Sequence, residues 1–540
     1  MSEPGSMSSA AGVYQKVVPQ PIRALAASRV PPRVRRRVKS RLARTLASRE
    51  SRLHRRSLKQ VRDARFAARP EGRTLTDDGR VAHIHAQLTA DRARRLDHDL
   101  VTAAFDVAGI PWFSVPPLDD RRTALAVPKE HKAAVRRVLR ALLEEQTGYL
   151  CSVSPADNAG ILIPGSHLKA WKHFAKARVI RVMWLRTEPT RSLLIGEDQG
   201  VEIEFWTLNT DLAAPRLVGP RPNRVQRVVP AGTATVGIDH HRLTGYADLA
   251  AAGAATRVPE GFDIVRVEEV TFPVDAVVLW QHTGAWAEEL LRATLRSLHQ
   301  YAPWLDAVHL VALAPLPQWV RSGDWLTVVG AGREAEAQLH ELPGLAEHFL
   351  LLRPGAVLAR PVRPFDFFTP LGGTRPRRGP WTAQEAAAPW TRTAYAFTTR
   401  AVAHGFACGV QPYNLTVLRA IADGYDWTEY LVDTQTAPQL TGTHPLDGLV
   451  HHAAHCSGYA DPSGAATLGL HAAMPGLQRW LDRLLVRRDA QQFQLFGLAT
   501  AEARSRGGTA AVVEFLRRYF PVESPFEHPA DMDAGEDGSR

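Results

Sequence analysis

The stretch VDAVVLWQHTGAWAEELLRATLRSLHQYAPWLDAVHLVALA (residues 274–314) carries the strongest fold signal in this 540-residue chain. VDAVVLW is a short, unbroken apolar run, which is typical of a buried strand, and DAVHLVALA is a second such run. Between them, apolar residues recur every three or four positions, which predicts a helix that packs Leu291, Leu295 and Leu298 against a sheet. A strand, a helix and a further strand form a βαβ unit, so we predict an α/β fold with a mainly parallel sheet flanked by helices.

A second stretch, LPGLAEHFLLLRPGAVLARPVRPFDFFTP (residues 342–370), extends this pattern. Its apolar run FLLL is bounded by Pro and Gly signals and predicts another buried strand. In open α/β sheets, ligands bind just beyond the carboxyl ends of the strands. We therefore expect a cleft at the carboxyl ends of VDAVVLW and FLLL.

The composition of the chain is that of a globular protein, with 45% apolar and 22% charged residues. No apolar run reaches the roughly 18 residues of a membrane-spanning helix, and MSEPGSMSSAAG lacks the features of a secretory signal. The three cysteines, Cys151, Cys408 and Cys456, are too scattered for a disulfide framework or a zinc site. These features predict a cytoplasmic protein.

Positive charge is concentrated near the amino terminus. Residues 16–69 contain 18 Lys and Arg and two acids, a net charge of +16 in a chain whose net charge is +11. Three interpretations of this basic arm (residues 1–80) remain open: a solvated helix, a segment that binds an anionic membrane surface, or one that binds nucleic acid. Apolar residues lie among the arginines of residues 30–69, which predicts an exposed basic helix able to hold the protein at the inner membrane face. Nucleic acid is the least favoured partner because no recognition module follows.

The rest of the chain divides into four predicted segments. Residues 81–148 combine helical and strand patterns and predict a small α/β module. Residues 149–268 contain short β-branched and aromatic runs separated by Gly and Pro, which predict a β-rich extension. Residues 269–528 hold the α/β core with a mostly helical carboxyl-terminal part, and the acidic tail, residues 529–540, is predicted to be disordered.

Two groups of side chains are candidates for chemistry on their spacing. Glu202 and Glu204 alternate in VEIEFW, which places both carboxylates on one face of a strand. They are either a general acid–base pair or part of a solvated strand face, and we favour the second.

The other group is the histidines of GIDHHRL and LVHHAAHC. His451 or His452 and His455 lie three or four residues apart and could share a helix face, although we favour a structural role over metal binding.

Taken together, these segments resemble the Stealth family of sugar-phosphate transferases. The matching segments, in family order, are FPVDAVVLWQHTGAW, LRATLRSLHQYAPWL with LPQW, LPGLAEHFLLLRPGAVLARPVRPFDFFTP and FLRRYFPVESPFE. Upstream, VEIEFW and GPRPNRV resemble extensions of actinobacterial members, so the resemblance covers about residues 80–528. It implies transfer of a sugar 1-phosphate from a nucleotide sugar to a glycan hydroxyl in capsule or exopolysaccharide synthesis, assisted by Mg²⁺ or Mn²⁺.

The sequence segments that define the family are retained, but many of the family's site residues are replaced. Arg353, Pro354 and Gly355 stand where the family carries Asn-Asp-Asp. In the first block two aspartates are replaced, by His282 and Ala285. Further along, two histidines and an Asn-Asp pair of the family are replaced by Cys408 and Gln411 and by Phe496 and Gly497.

The resemblance nevertheless implies a set of site residues for the cleft. The catalytic candidates are Asp275 and Arg296, and the substrate-binding candidates are Trp280, His282 and Arg353. Because an arginine cannot ligate a cation, we expect no metal cofactor to be retained. Arg353 could instead pair with a phosphate directly, as a bidentate fork.

Two functions follow from these observations. The first is a Stealth-type phosphotransferase of weak or altered activity, whose ligand is a nucleotide sugar or a sugar phosphate. The second is a catalytically inactive relative that binds sugar phosphate or regulates an intact paralogue. Turnover of a nucleotide sugar in the presence of Mg²⁺ distinguishes them.

Overall fold

The structure of the protein is a computed structural model. It describes residues 72–528 except 77–78, 120, 152–161, 169, 197–198, 212–213, 245–254, 263–266, 282, 324–325, 331–335, 337, 408, 425–442, 465–466, 487, 489–490 and 499–505. Residues 1–71, which hold most of the basic arm and its predicted helix, and the acidic tail with its predicted disorder lie outside the described residues.

The amino-terminal half is built mainly of short strands. Its elements are β1 Arg73–Leu75, β2 Val81–Ile84, α1 Ala90–Val107, β3 Phe113–Val115, β4 Thr123–Pro128, α2 Lys132–Glu145, β5 Tyr149–Cys151, β6 Leu162–Pro164, α3 Ala170–His173, β7 Val179–Met183, β8 Leu185–Thr187, β9 Leu194–Ile195, β10 Val201–Asn209, β11 Arg216–Val218, β12 Val228–Pro230, β13 Thr235–Asp239, α4 His241–Thr244 and β14 Ala255–Pro259. An eight-stranded sheet runs β12-β11-β10-β7-β5-β6, and β4 joins it at β10 and carries β3 on its other side. Because β4 and β10 pair in parallel, the boundary predicted at residue 148 falls within one sheet.

The carboxyl-terminal half holds the predicted α/β core. Its elements are β15 Val274–Trp280, α5 Ala285–Tyr301, β16 Val308–Ala312, β17 Leu326–Gly330, β18 His348–Leu352, β19 Ala356–Leu358, β20 Arg378–Gly379, α6 Ala383–Ala386, α7 Pro389–Thr398, β21 Gly405–Phe406, β22 Val410–Asn414, α8 Leu415–Gly424, α9 Pro445–Cys456, β23 Thr467–Leu470, α10 Leu477–Val486, β24 Leu495–Leu498 and α11 Arg506–Tyr519.

The central sheet of this core has the strand order β17-β16-β15-β18-β22. The first four strands are parallel, and only β22 runs antiparallel, against β18. Every residue of β15 and β18 is buried because helices cover both faces of the sheet. On one face α5 packs against alternate residues of β15, and on the other α7, α8 and α9 pack against the residues between them. The predicted fold class is confirmed.

The crossover helix α5 has the amphipathic pattern that its sequence predicts. Leu291, Leu295 and Leu298 are all buried in the core between α5 and the sheet, as expected. The helix begins after Gly284, whose φ of 108° favours glycine. It ends at Tyr301, two residues before Pro303, which cannot continue a helix.

The carboxyl-terminal part is less helical than the sequence predicts. The stretch GLQRWLDRLLVRRDAQQFQLF has a helical pattern throughout, but α10 ends at Val486 and Leu495–Leu498 forms strand β24. This strand lies between β23 and β19 in a three-stranded sheet, and β19 is far away in the sequence. Long-range pairing therefore overrides the local helical pattern here.

Candidate functional site

A cleft of about 430 Å³ lies at the carboxyl ends of β15 and β18, beside the amino end of α5. This is the location that the two apolar runs predict. The described residues that line it are Val278, Leu279, Trp280, Gln281, Thr283, Gly284, Ala285, Trp286, Ala287, Leu290, Leu291, Thr294, Arg353, Pro354 and Gly355. Most of this lining is apolar, and Arg353 is its one charged side chain among the described residues.

Arg353 is already engaged by two acidic side chains. Its Nη1 donates to both carboxylate oxygens of Asp447, at 2.9 and 2.8 Å, and its Nη2 donates to Oε2 of Glu336 at 3.1 Å. The Tyr413 hydroxyl donates a short hydrogen bond to the same Asp447 carboxylate. With the guanidinium held this way, Arg353 does not offer the free phosphate fork that the sequence suggested.

The electrostatics of this cluster keep both acids ionised. Burial tends to raise the pKa values of Glu336 and Asp447, but the nearby Arg353 and His444 outweigh it, so both pKa values lie below their ordinary ones. Burial lowers the pKa of His444, and it lowers the pKa of His451 to about 4. At neutral pH, two carboxylates and one guanidinium therefore leave a net charge of about −1 beside the cleft. A negative charge here opposes the direct pairing of Arg353 with a phosphate that the sequence suggested.

The backbone at Gly355 explains why a carboxylate is not found at this position. Gly355 has a φ of +82°, and a Cβ placed on it would lie 2.3 Å from the carbonyl oxygen of Leu498. The N–H of Leu498 donates to the carbonyl of Gly355 at 2.8 Å, which fixes this close approach. Any side chain at residue 355 would displace β24, so the loop after β18 excludes the family's acidic residue here.

Asp275 lies at the opposite end of the sheet from the cleft, so the expected position of this carboxylate is wrong. It is the second residue of β15, and parallel strands direct their carboxyl ends, not their amino ends, toward the cleft. Its carboxylate accepts hydrogen bonds from the N–H groups of Ala307 and Ala346, at 3.1 and 2.7 Å, and lies 3.1 Å from Nε2 of His309. Asp275 therefore joins the segments that precede β16 and β18.

Arg296 also points away from the cleft, contrary to expectation. Its Nε and Nη2 donate to the two carboxylate oxygens of Glu527, at 2.8 and 2.7 Å, and Nη1 donates to the carbonyl of Phe520 at 3.0 Å. Phe520 and Glu527 belong to the closing segment YFPVESPFE. Arg296 therefore joins α5 to the end of the core. This contact accounts for an arginine at this position of the family motif without a role in the cleft.

The aromatic residues of the cleft are only partly those predicted. Trp280 lines the cleft, and its Nε1 donates to the carbonyl of Pro315 at 3.0 Å. His282 lies outside the described residues. Trp286 was not predicted, although GAW follows the first strand. Its buried Nε1 has no hydrogen-bond partner among the described residues, so this N–H is a candidate donor to a ligand.

The remaining replaced family positions lie within the core. Gln411 is fully buried, and its Oε1 accepts from the N–H of Arg377 at 2.9 Å. Phe496 and Gly497 are in β24, opposite Val357 and Ala356 of β19. Cys408, which replaces the other histidine, lies outside the described residues. Where described, the replacements thus fill or brace the fold.

Glu202 and Glu204 form a buried ion-pair cluster, so the solvated strand face that we favoured is wrong. Arg221, from GPRPNRV, donates to Oε1 of Glu204 at 2.6 Å and makes a short ion pair with Glu202. Arg122 contacts Glu202 at 3.2 Å, and Trp206 Nε1 donates to Glu204 at 3.1 Å. Both carboxylates are therefore occupied, which leaves them unsuited to hold a cation.

The histidine groups make structural contacts. The rings of His240 and His98 meet edge to face with centroids 4.7 Å apart. On α9, Nε2 of His452 lies 3.1 Å from the carbonyl of Arg400, and Nδ1 of His455 lies 3.1 Å from the carbonyl of Ala460. In the part of the chain that the structure describes, no group of three His, Cys, Asp or Glu side chains is arranged to hold a metal ion. The donor set of the described cleft residues does not fit the divalent cation that the family resemblance implies.

The sequence does not indicate the two acids that hold Arg353. Asp447 is in the first turn of α9, where an acidic residue ordinarily serves the helix amino end. Glu336 lies in a turn between β17 and β18, where the sequence has no periodic pattern. Neither position carries a local signal that links it to Arg353. No described helix is long and apolar enough to cross a membrane.

Comparison with known proteins places the chain among exopolysaccharide phosphotransferases, although no family model matches it. An exopolysaccharide phosphotransferase of Streptomyces coelicolor is 58% identical over 527 residues, which cover 98% of this chain and 97% of the relative. Another from the same organism is 30% identical over 585 residues, covering 96% and 97%. A solved galactosyltransferase, LgtC, in complex with donor and acceptor sugar analogs, is 15% identical with a TM-score of 0.31, and the match covers 46% of this chain and 96% of that one. From the two relatives, the chain belongs to the Stealth family of exopolysaccharide phosphotransferases.

Proposed function

We propose that this protein binds a nucleotide sugar, or its sugar-phosphate part, in the cleft without a divalent cation, and that it transfers sugar 1-phosphate to a glycan hydroxyl only slowly. The observation that carries this proposal is the engagement of Glu336 and Asp447 by Arg353. Mg²⁺ needs oxygen ligands, and these two carboxylates are held by a guanidinium instead.

The amino end of α5 supports binding of phosphate groups in the cleft. The first hydrogen bond of the helix runs from the N–H of Glu288 to the carbonyl of Gly284, so the N–H groups of Ala285, Trp286 and Ala287 precede it. All three residues line the cleft. Free N–H groups and the positive end of the helix dipole favour an anion there.

The absence of carboxylates from the described lining also supports slow transfer. Phosphoryl transfer depends largely on electrostatic stabilisation of the charge that develops on the phosphoryl group and the leaving oxygen. In this cleft, helix N–H groups and the Trp286 N–H can bind the ground state. These neutral donors stabilise the developing negative charge less than a bound divalent cation does, so the rate of transfer should be low.

The test is a titration of the purified full-length protein with UDP-activated hexoses and N-acetylhexosamines, with Mg²⁺ and with chelator. Binding should be equal in the two conditions, and transfer to a saccharide acceptor, followed by mass spectrometry, should be slow. Trp286→Phe removes the candidate donor and should weaken binding several-fold. Trp381→Phe, at a tryptophan outside the cleft, is the matched control. Rapid transfer that requires Mg²⁺ would overturn the proposal.

A second function, that of a non-catalytic relative that binds sugar phosphate or regulates an intact paralogue, is favoured by the backbone at Gly355. The double variant Pro354→Asp/Gly355→Asp tests whether chemistry can be restored. We expect it to be destabilised, because the new Cβ meets the Leu498 carbonyl, and to gain no activity. Equal binding with no transfer by the unmodified protein would favour this second function over the first.

For the segment of the basic arm from residue 16 to residue 69, which is outside the described residues, we propose binding to an anionic membrane surface at the cytoplasmic face. The support is its charge: 18 Lys and Arg against two acids. Binding to anionic vesicles should fall steeply as salt rises, because charge attraction is screened within about 10 Å at 0.1 M. Deletion of residues 1–70 should abolish this binding and leave the fold intact. Binding that is unchanged at 0.5 M salt would contradict an electrostatic anchor.

A further inference from the structure

A basic groove lies in the amino-terminal half of the protein, on the outer face of α2. Its volume is about 430 Å³, and its lining consists of Ala133, Arg136, Arg137, Arg140, Ala141, Glu144 and Trp171. The six lining residues from α2 follow the spacing of three and four that places side chains on one face of a helix. The opposite face of α2, with Val135, Leu139 and Leu143, is buried in the core.

The architecture of the groove is held by hydrogen bonds from α2 to α3 and to the segment that follows α3. Arg136 Nη2 donates to the carbonyl of Trp171 at 2.8 Å, and Lys132 Nζ donates to the carbonyl of Ala177 at 2.5 Å. Trp171 is itself buried, and its Nε1 donates to the carbonyl of Gly165 at 2.8 Å. The two alanines on α2 leave space between the arginines, so the groove is a formed depression of the surface.

Positive charge at this groove is not balanced by nearby acids in the sequence. Residues 129–145 and 171–178 together carry eight Lys and Arg and three Glu. Arg137 and Arg140 are exposed and have no ion-pair partner among the described residues, and the buried Nε of Arg136 has no hydrogen-bond partner there either. The pKa of Lys132 is lowered by burial and by the positive charges of Arg136 and Lys129. Like charges held together in this way gain stability when an anion binds between them.

We propose that the groove on α2 is a binding site for a compact phosphate-bearing ligand, such as a phosphate monoester or a pyrophosphate, which the guanidinium groups of Arg136, Arg137 and Arg140 would contact. Guanidinium groups match phosphate oxygens as planar, charge-assisted donors. A membrane surface fits less well, because none of the lining residues is an exposed large hydrophobic side chain that could enter the lipid. This site is separate from the cleft at β15 and β18 and does not depend on the function proposed for that cleft.

The test is calorimetric titration of the full-length protein with pyrophosphate and with glucose 1-phosphate at low salt. Arg137→Gln/Arg140→Gln changes two exposed side chains, so the fold should be unaffected. This variant should bind pyrophosphate about tenfold more weakly, because charge-assisted hydrogen bonds are lost. Arg479→Gln/Arg483→Gln removes the same charge from exposed positions four residues apart on α10 and should bind as the unmodified protein does.

Two outcomes would overturn the proposal: equal weakening in both double variants, which would indicate a general charge effect, and undiminished binding by the Arg137→Gln/Arg140→Gln variant. The cleft variant Trp286→Phe serves as a second reference. It should leave the pyrophosphate site at the groove intact, so failure of this proposal can be told apart from failure of the function proposed for the cleft.

Discussion

Two buried clusters in this protein contain the same kinds of charged groups but bring them together from different parts of the chain. In each, an arginine lies between two carboxylates. Arg221 holds Glu202 and Glu204, which are two residues apart on one strand. Arg353 holds Glu336 and Asp447, which lie 17 residues before it and 94 residues after it. The first cluster braces the amino-terminal sheet, whereas the second closes the wall of the cleft.

Solvent access also separates the two clusters. The side chain of Arg221 is 29% exposed, and that of Arg353 is 9% exposed. Glu202 has a second cationic partner, Arg122, at 3.2 Å. If Arg221 is removed, water and Arg122 can therefore still compensate the negative charge of Glu202 and Glu204. The negative charge of Glu336 and Asp447, in contrast, is compensated mainly by Arg353. The same pairing of charges should thus contribute unequally to stability.

The largest effect is expected at the cleft. Arg353→Ala leaves two ionised carboxylates buried, and the free energy of unfolding should fall by about 3–5 kcal/mol. Urea denaturation followed by circular dichroism measures this loss. A decrease of less than about 1 kcal/mol would show that other groups compensate the negative charge of the carboxylates. The expected difference in stability between the two clusters would then be wrong.

A smaller effect is expected for the equivalent change in the other cluster. Arg221→Ala should lower the free energy of unfolding by about 1–2 kcal/mol, because Arg122 and solvent remain to compensate Glu202. The same denaturation experiment gives the value. If the two alanine variants lose equal stability, solvent access is not what distinguishes the clusters.

The pH dependence offers a further contrast through His451, which packs beside Tyr413. Burial lowers the pKa of His451 to about 4, so between pH 6.5 and 4 the unfolded chain binds a proton that the folded protein does not. This contribution to stability is present at pH 7 and is lost as the pH falls through that window. His451→Phe removes the titration, so from pH 7 to pH 5 the variant should lose up to about 2 kcal/mol less stability than the unmodified protein. Parallel curves of stability against pH for the two proteins would contradict this assignment.

The smallest effect is expected at Glu204 and has the opposite sign. Burial raises the pKa of its carboxyl, although Arg221 opposes the shift. The folded protein therefore binds a proton more readily than the unfolded chain, and this contribution to stability increases as the pH falls toward the ordinary value. Glu204→Gln should make the loss of stability between pH 7 and 5 slightly steeper, by less than about 1 kcal/mol. A shallower curve would mean that Arg221 holds this pKa below its ordinary value.

Local sequence patterns are enough to predict the α/β core, the crossover helix and the position of the cleft. These features follow from apolar periodicity within segments of 5 to 17 residues. Because both faces of a parallel sheet must be covered by helices, few arrangements of these strands and helices are possible. The position of Asp275 could also have been read from the sequence, because the second residue of a parallel strand lies at the end away from the cleft.

The role of Arg353, in contrast, depends on contacts that form only in the folded chain. Its partners come from a loop and from the first turn of a distant helix, and neither segment has a local pattern that points to the other. The same is true of Gly355, where the carbonyl of Leu498 excludes a side chain because two segments 143 residues apart meet in one sheet. Local sequence sets which elements form. The contacts between elements set the charge and the space at the site, because they depend on residues brought together only when the chain has folded.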